Sequence, residues 1–201
     1  GSGKSSCGNT ILRKTVFQSY TSSMPVTKKC EVEETVISGI HVRVIDTPDF
    51  FADDCEQAEE HTAKCRDLAC IGRPVYILVM QLGRFTEEEH NIVEQMKKEF
   101  GNEVTKHTVI LFTHKEELRG DTLKNYVRKT DRRLQELIRC CGSRYCAFSN
   151  SEKNKEQVSE LIQMIVNMQK DSQNLNETYP EFVGKSAKRG NTGKKPTCPV
   201  L

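Results

Sequence analysis

A lysine and a serine hydroxyl directly follow a glycine at the start of the chain. Gly3, Lys4 and Ser5 match the last three positions of the phosphate-binding pattern GxxxxGK[ST]. In that pattern the glycine lets backbone N–H groups approach a phosphate, the lysine places a cation on its oxygens, and the hydroxyl binds Mg²⁺. These residue types therefore predict phosphate binding at the start of a helix. A flexible terminus, or a tag remnant at Gly1 and Ser2, is the alternative.

Alternating helical and strand-like patterns predict the elements that would position such a site. The predicted helices cover 3–12, 54–69, 86–100, 121–141 and 151–169, and the predicted strands cover 30–38, 41–46, 75–80, 108–113 and 144–148. Strands that alternate with helices of this length indicate an α/β fold with a mostly parallel sheet and flanking helices. The polar motifs considered below fall at strand ends and helix starts.

The composition is that of an ordinary globular chain of one domain, with 201 residues, 36% hydrophobic and 29% charged. Five basic and no acidic residues lie between Val183 and the C-terminus, so the net charge of +2 comes from the tail. This distribution argues against a nucleic-acid-binding body. We predict a folded domain over 1–170 and a polar, basic, disordered tail over 171–201.

The nine cysteines are odd in number and include no CxxC pair, which favours free thiols in a reducing, cytoplasmic setting. A metal site at Cys55, His61, Cys65 and Cys70 is the alternative. The last four residues, from Cys198 to Leu201, form a Cys-a-a-X pattern whose final leucine favours geranylgeranylation. Together with the basic tail, that lipid would hold the protein peripherally on a membrane.

Several motifs in order resemble the GIMAP family, the GTPases of immunity-associated proteins. The segments that carry the resemblance are Gly3–Leu12, Val26–Cys30, Asp46–Asp49, Leu82–Glu88, Thr113–Leu118 and Arg144–Asn150. The Leu82–Glu88 segment resembles a box characteristic of this family within the P-loop class. The resemblance implies a Ras-like P-loop NTPase fold, related to septins and dynamin-like proteins, with GTP or GDP and Mg²⁺ as ligands.

The family pattern also implies which residues contact the nucleotide. They are Gly1, Ser2, Gly3, Lys4, Ser5, Ser6, Thr27, Asp46, Asp49, His114, Lys115, Glu117, Ser149 and Asn150. By the same resemblance, Ser5, Thr27 and, through water, Asp46 would hold the metal ion.

Three positions depart from the family pattern. Asp49 replaces a glycine, and its carboxylate would disfavour closure around a γ-phosphate. Phe50 stands where Ras-type enzymes have a water-orienting glutamine, so no catalytic residue is assigned and we expect slow hydrolysis at most. Glu117 replaces an aspartate that accepts two hydrogen bonds from guanine, and we expect the guanine preference to be softened.

The first strand of a Ras-like sheet and the front of the phosphate loop are absent from this chain. That strand would lie between the strand ending at Asp46 and the one starting near Val75, so its absence would leave two inner edges without partners. We therefore expect the sequence to be part of a longer polypeptide.

Three functional hypotheses remain open. The first is a slow GTPase switch that assembles as a homo-dimer or oligomer through its nucleotide face. The second is a pseudo-GTPase scaffold with little or no hydrolysis, which Asp49 and Phe50 favour. The third is a P-loop kinase or ATPase, against which Lys115–Glu117 and the Leu82–Glu88 box argue.

Overall fold

The computed structural model describes residues 2–19, 30–47, 63, 67–68, 74–85, 91–151, 155–174 and 197–200, with the backbone alone at 172–174 and 197–200. The strands are β1 (Glu31–Ile37), β2 (Ile40–Asp46), β3 (Tyr76–Gln81), β4 (Thr108–Thr113), β5 (Tyr145–Ala147) and β6 (Thr197–Val200). The helices are α1 (Lys4–Leu12), α2 (Ile92–Phe100), α3 (Leu123–Lys129), α4 (Arg132–Cys140) and α5 (Lys155–Asn174). Short 3₁₀ turns cover Val104–His107 and Lys115–Leu118.

The predicted α/β architecture is confirmed, and most strand pairs are parallel. β3, β4 and β5 form a parallel sheet in that order, and helices supply the crossover connections that parallel neighbours need. β1 and β2 form an antiparallel hairpin whose tight turn places Ser38 and Gly39 at φ values of 52° and 80°. This hairpin brings Asp46 to the end of β2, opposite Glu31.

The described strands form two three-stranded sheets, because β2 and β3 do not pair with each other. β6 lies parallel to β2, with His41 opposite Thr197 and Val44 opposite Val200. Among the described strands β3 pairs only with β4. β6 thus lies on the β2 edge that the sequence predicted to be without a partner.

Two boundaries near the C-terminus differ from the sequence-based expectation. α5 runs to Asn174, past the predicted domain end at residue 170, and Thr197–Val200 forms a strand within the segment predicted to be disordered. The disorder of the remainder of 171–201 stays a prediction. No helix among the described residues is both long enough and apolar enough to cross a bilayer.

β4 separates two apolar cores because all six of its residues are buried and its side chains alternate in direction. Val109 and Leu111 belong to the core beneath α1 and α5, whereas Ile110 and Phe112 belong to the core beneath α2 and α4. Helices therefore cover both faces of the sheet at β4. The continuous apolar sequence of this strand follows from burial on both sides.

The prediction of one helix over 121–141 is wrong, because two helices occupy this segment. Thr130 is extended, with ψ at 175°, and Asp131 caps α4 by accepting a hydrogen bond of 2.8 Å from the backbone N–H of Arg133. Thr122 caps α3 in the same way through Asn125. The apolar stripe continues across both helices, so hydrophobic periodicity alone does not show the break.

α1 packs closely on the loop that follows it. The Phe17 ring is 1% exposed and lies so near Gly8 that a Cβ built there would be 2.8 Å from two of its carbons. The Asn9 carboxamide fixes this loop, since its Oδ1 accepts from the N–H groups of Val16 and Phe17 and its Nδ2 donates to the Phe17 carbonyl. Gly8 and Asn9 thus fix the position of the loop that follows α1.

Replacing Gly8 by alanine tests this packing. Alanine is the better helix former by about 1 kcal/mol, but inserting a methyl group against a packed ring costs roughly 1–3 kcal/mol. We expect Gly8→Ala to lower the free energy of unfolding, measured by urea denaturation. The cost should shrink in a Phe17→Leu background, where the ring is absent. A more stable Gly8→Ala variant would contradict this packing.

Candidate nucleotide-binding site

The first turn of α1 presents the predicted phosphate-binding residues. Gly3 caps the helix at φ 95°, a conformation that favours glycine, and Lys4, Ser5 and Ser6 follow in the first turn. A Cβ at Gly3 would lie 3.2 Å from the methyl group of Thr113. The helix dipole favours an anion at this end of α1.

Ser5 and Asp46 meet at this end of the helix. The Ser5 hydroxyl donates a hydrogen bond of 2.6 Å to Oδ2 of Asp46, although 41 residues separate the two. Asp46 is 4% exposed at the end of β2. A hydroxyl and a carboxylate are hard oxygen donors of the kind Mg²⁺ selects, so this pair fits the predicted metal ion.

The predicted base-binding residues lie on the turn after β4. His114, Lys115 and Glu117 all have exposed side chains, and His114 adopts a left-handed conformation with φ 61°. The turn is held by backbone bonds, in which Lys115 donates to the Phe148 carbonyl and Glu117 donates to the His114 carbonyl. The three side chains are therefore presented outward from a fixed backbone.

Thr113 joins the loop before α1 to the turn after β4, residues 114–118, which we call the base turn. The sequence did not reveal this role. It is fully buried, and its Oγ1 lies 3.1 Å from the Ser2 carbonyl and 3.3 Å from the Met80 carbonyl. The same oxygen lies 3.1 Å from Nδ1 of His114. One hydroxyl thus links the loop before α1, the β3 strand and the base turn.

Ser149 and Asn150 follow β5 and make contacts inside the protein. Ser149 is 2% exposed, and its backbone N–H and carbonyl form a reciprocal pair of bonds with the Gln157 carboxamide. The Asn150 Oδ1 accepts a bond of 2.8 Å from Thr10, and its Nδ2 donates to the Cys7 sulfur at 3.5 Å. Asn150 therefore lies beside the phosphate helix with its amide engaged by α1.

Some predicted site residues lie outside the described part of the chain. These are Gly1, Thr27, Asp49 and Phe50, and the alternative metal residues Cys55, His61, Cys65 and Cys70. Within the described residues, no group of three or more metal-ligating side chains occurs. Cys30 is disulfide-bonded, which differs from the free thiols that we expected.

A glycine-capped helix with lysine and serine in its first turn, set against a carboxylate at a neighbouring strand end of an α/β sheet, defines the P-loop class of nucleotide-binding proteins. Within that class the chain belongs to the AIG1 family, whose family model matches residues 1–195.

The relatives agree with this assignment. The mouse protein GTPase IMAP family member 8 is 32% identical over 190 residues, which cover 92% of this chain and 28% of that protein. The chain therefore spans little more than a quarter of that relative.

Solved structures show the same fold. Toc33 from Arabidopsis thaliana in complex with Mg²⁺ and GMPPNP has a TM-score of 0.64 at 20% identity, covering 84% of this chain and 80% of that chain. A structure of the chloroplast translocon components atToc33 and psToc159, for whose GTPase activity dimerization is important, has a TM-score of 0.65 at 17% identity and covers 84% and 78%.

The reactivity of Cys7 and Cys141 tests whether their surroundings exclude reagents from solution. Burial raises the pKa of Cys7 to about 12 and that of Cys141 to about 11, so both thiols stay protonated at neutral pH. Cys140 is exposed and is the matched neighbour. We expect iodoacetamide to modify Cys140 in the folded chain and to spare Cys7 and Cys141 up to a pH of about 9. Peptide mass spectrometry would contradict this if Cys7 reacted as fast as Cys140.

Proposed function

We propose that the chain binds guanine nucleotide with Mg²⁺ and acts as a slow GTPase switch that assembles through its nucleotide face. The observation that carries the proposal is the Ser5–Asp46 hydrogen bond at the N-terminus of α1. It places a helix dipole, a serine hydroxyl and a buried carboxylate at one point. In the proposed complex Ser5 would bind the metal ion directly and Asp46 through water, and the ion would neutralise phosphate charge.

Guanine is the proposed base because Glu117 presents a carboxylate on the turn after β4. A carboxylate accepts hydrogen bonds from the N1–H and the 2-amino group of guanine, whereas adenine presents no such pair. Lys115 and His114 share the same exposed turn and would contact the base or the ribose. Thr113 supports the arrangement by fixing this turn to the loop before α1.

Slow turnover is proposed from the two residues Asp49 and Phe50. A phenyl ring at Phe50 has no group that orients an attacking water, and Asp49 brings a negative charge toward the γ-phosphate. The same two residues favour the second candidate, a nucleotide-dependent scaffold with little or no hydrolysis. Single-turnover assays with GTP decide between them. A measurable rate supports the switch, and association without hydrolysis supports the scaffold.

Assembly and location are further parts of the proposal. Dimerization matters for the activity of the chloroplast translocon components that share this fold, and the exposed base turn leaves the nucleotide face open to a second copy. In the proposed cytoplasmic, membrane-associated form, Cys198 carries a lipid, and its place in β6 limits when that lipid could be attached. Because Cys198 pairs with Val42, the strand must leave β2 before a transferase could modify this cysteine.

A nucleotide titration tests the proposed ligand. We expect GDP to bind at least as tightly as GTP, and ATP at least tenfold more weakly, which is about 1.4 kcal/mol. The titration is done on this chain with Mg²⁺ present. ATP binding equal to that of GDP would refute guanine specificity and revive the ATPase hypothesis.

Replacing Ser5 by alanine tests the proposed metal site. Loss of a hydroxyl that binds Mg²⁺ and contacts Asp46 should weaken nucleotide binding in Mg²⁺ by about tenfold, the order expected for a bond to a charged group. Binding in excess EDTA should change little. Ser159→Ala is the control, since Ser159 is exposed on α5 and, within the described residues, its hydroxyl bonds only to the Lys155 carbonyl. Equal weakening with and without Mg²⁺ would place Ser5 outside the metal site.

A further inference from the structure

The amide of Asn150, in the loop after β5, bonds to two residues of α1 at once. Its Oδ1 accepts a hydrogen bond of 2.8 Å from the Thr10 hydroxyl, and its Nδ2 donates to the Cys7 sulfur at 3.5 Å. These bonds join residues 140 and 143 positions apart in the sequence. One side chain therefore holds α1 at two points.

Both of these points contact the backbone of the first turn of α1. The Cys7 N–H donates a hydrogen bond of 2.9 Å to the Gly3 carbonyl, and the Thr10 hydroxyl lies 2.9 Å from the Ser6 carbonyl. The single hydrogen of that hydroxyl is shared between the Ser6 carbonyl and Asn150, or points to one of them at a time. Asn150 is thus one residue away from each end of the segment 3–6, which carries the predicted phosphate-binding residues.

The loop that carries Asn150 is itself anchored. Ser149 exchanges two backbone hydrogen bonds, both of 3.0 Å, with the carboxamide of Gln157, and both residues are 2% exposed. Phe148 donates a backbone bond of 2.8 Å to the Phe112 carbonyl on β4. Asn150 therefore ties α1 to a fixed part of the sheet.

We propose that Asn150, through Thr10 and Cys7, positions the phosphate-binding turn and so contributes to phosphate affinity rather than to base selectivity. An anion gains most from a helix N-terminus that is already in place, because no ordering has to accompany binding. Thr10, which the family pattern does not assign to the ligand, is a positioning residue, since it reaches the phosphate only through the first turn.

The inference rests on the proposed nucleotide site, and two affinity ratios separate the possible roles of Asn150. GMP lacks the β-phosphate that the start of α1 would hold, so the GDP-to-GMP ratio reports on phosphate positioning. IDP keeps both phosphates and lacks the 2-amino group of guanine, so the GDP-to-IDP ratio reports on base contact. A general loss of folded protein would lower all three affinities together and change neither ratio.

The decisive variant is Thr10→Val, which removes the hydroxyl and keeps the branched shape. We expect GDP affinity to fall about three- to tenfold, as for one lost hydrogen bond, with a lower GDP-to-GMP ratio and an unchanged GDP-to-IDP ratio. Thr10→Ser keeps the hydroxyl and should retain both ratios. Thr105→Val is the matched control, because Thr105 is also half-buried and its hydroxyl forms no hydrogen bond with another described residue.

A double variant tests whether Thr10 and Asn150 act as one unit. Asn150→Ala should lower the GDP-to-GMP ratio at least as much as Thr10→Val, since it also removes the contact with Cys7. Adding Thr10→Val to Asn150→Ala should then change little, because both substitutions remove the same hydrogen bond. A lower GDP-to-IDP ratio in Asn150→Ala would assign this amide to the base and overturn the inference.

Hydrogen exchange without nucleotide tests the positioning itself. The Cys7 N–H bonds to the Gly3 carbonyl, so its exchange rate reports how firmly the first turn is held. Thr10→Val and Asn150→Ala should raise this rate about three- to tenfold, and Thr105→Val should leave it unchanged.

Two results would contradict the positioning role, and a third concerns the nucleotide site alone. An unchanged exchange rate in Thr10→Val, or an unchanged GDP-to-GMP ratio, would overturn the inference. Failure of the unsubstituted protein to bind GDP would refute the proposed function, whereas the exchange rates would still decide whether Asn150 positions the turn.

Discussion

The position of the first turn of α1 is the constraint on which the rest of the site depends. Its position at the positive end of the helix dipole favours an anion in the site only if the turn stays at the ends of the strands. Three side-chain hydrogen bonds hold α1 and the loop before it there: Thr113 at the end of β4 bonds to the Ser2 carbonyl, Asp46 at the end of β2 accepts from Ser5, and Asn150 after β5 accepts from Thr10. Three separate segments therefore hold one helix, and the close Gly8–Phe17 packing fixes the middle of the same helix.

Sequence reasoning predicted what local patterns encode and missed what distant partners decide. The alternation of helical and strand patterns was enough for the α/β class, and the predicted strand over 108–113 matches the bounds of β4. The motif order also predicted that Ser5 and Asp46 would share a site. The bond from Thr113 to Ser2 joins residues 111 positions apart, and the bond from Gly83 to Tyr126 joins residues 43 positions apart. Neither contact produces a periodic pattern in the sequence. The break before α4 was encoded locally by Asp131, but a continuous apolar stripe concealed it.

Asn150 illustrates the difference between recognising a motif and knowing what its side chain does. The family pattern assigns this position to the nucleotide base. The structure shows its amide between Thr10 and the buried thiol of Cys7, so both ends of the amide are occupied by α1. Contact with a base would have to use the second N–H or the second lone pair of that amide, or replace one of its present partners. Ser149 is likewise bonded through its backbone to Gln157, which leaves the loop after β5 well anchored before any ligand arrives.

The division of the strands into two sheets has a mechanical consequence. No backbone ladder joins β2 to β3 in the described chain, so contact between the two halves depends on side chains. The core beneath α1 supplies that contact, because it contains Val42 and Val44 from one half and Val109 and Leu111 from the other. Sliding of one half past the other would have to shear this core and drag α1 across it. An anion bound at the first turn of α1 would therefore oppose this sliding, because α1 packs on the core that joins the two sheets.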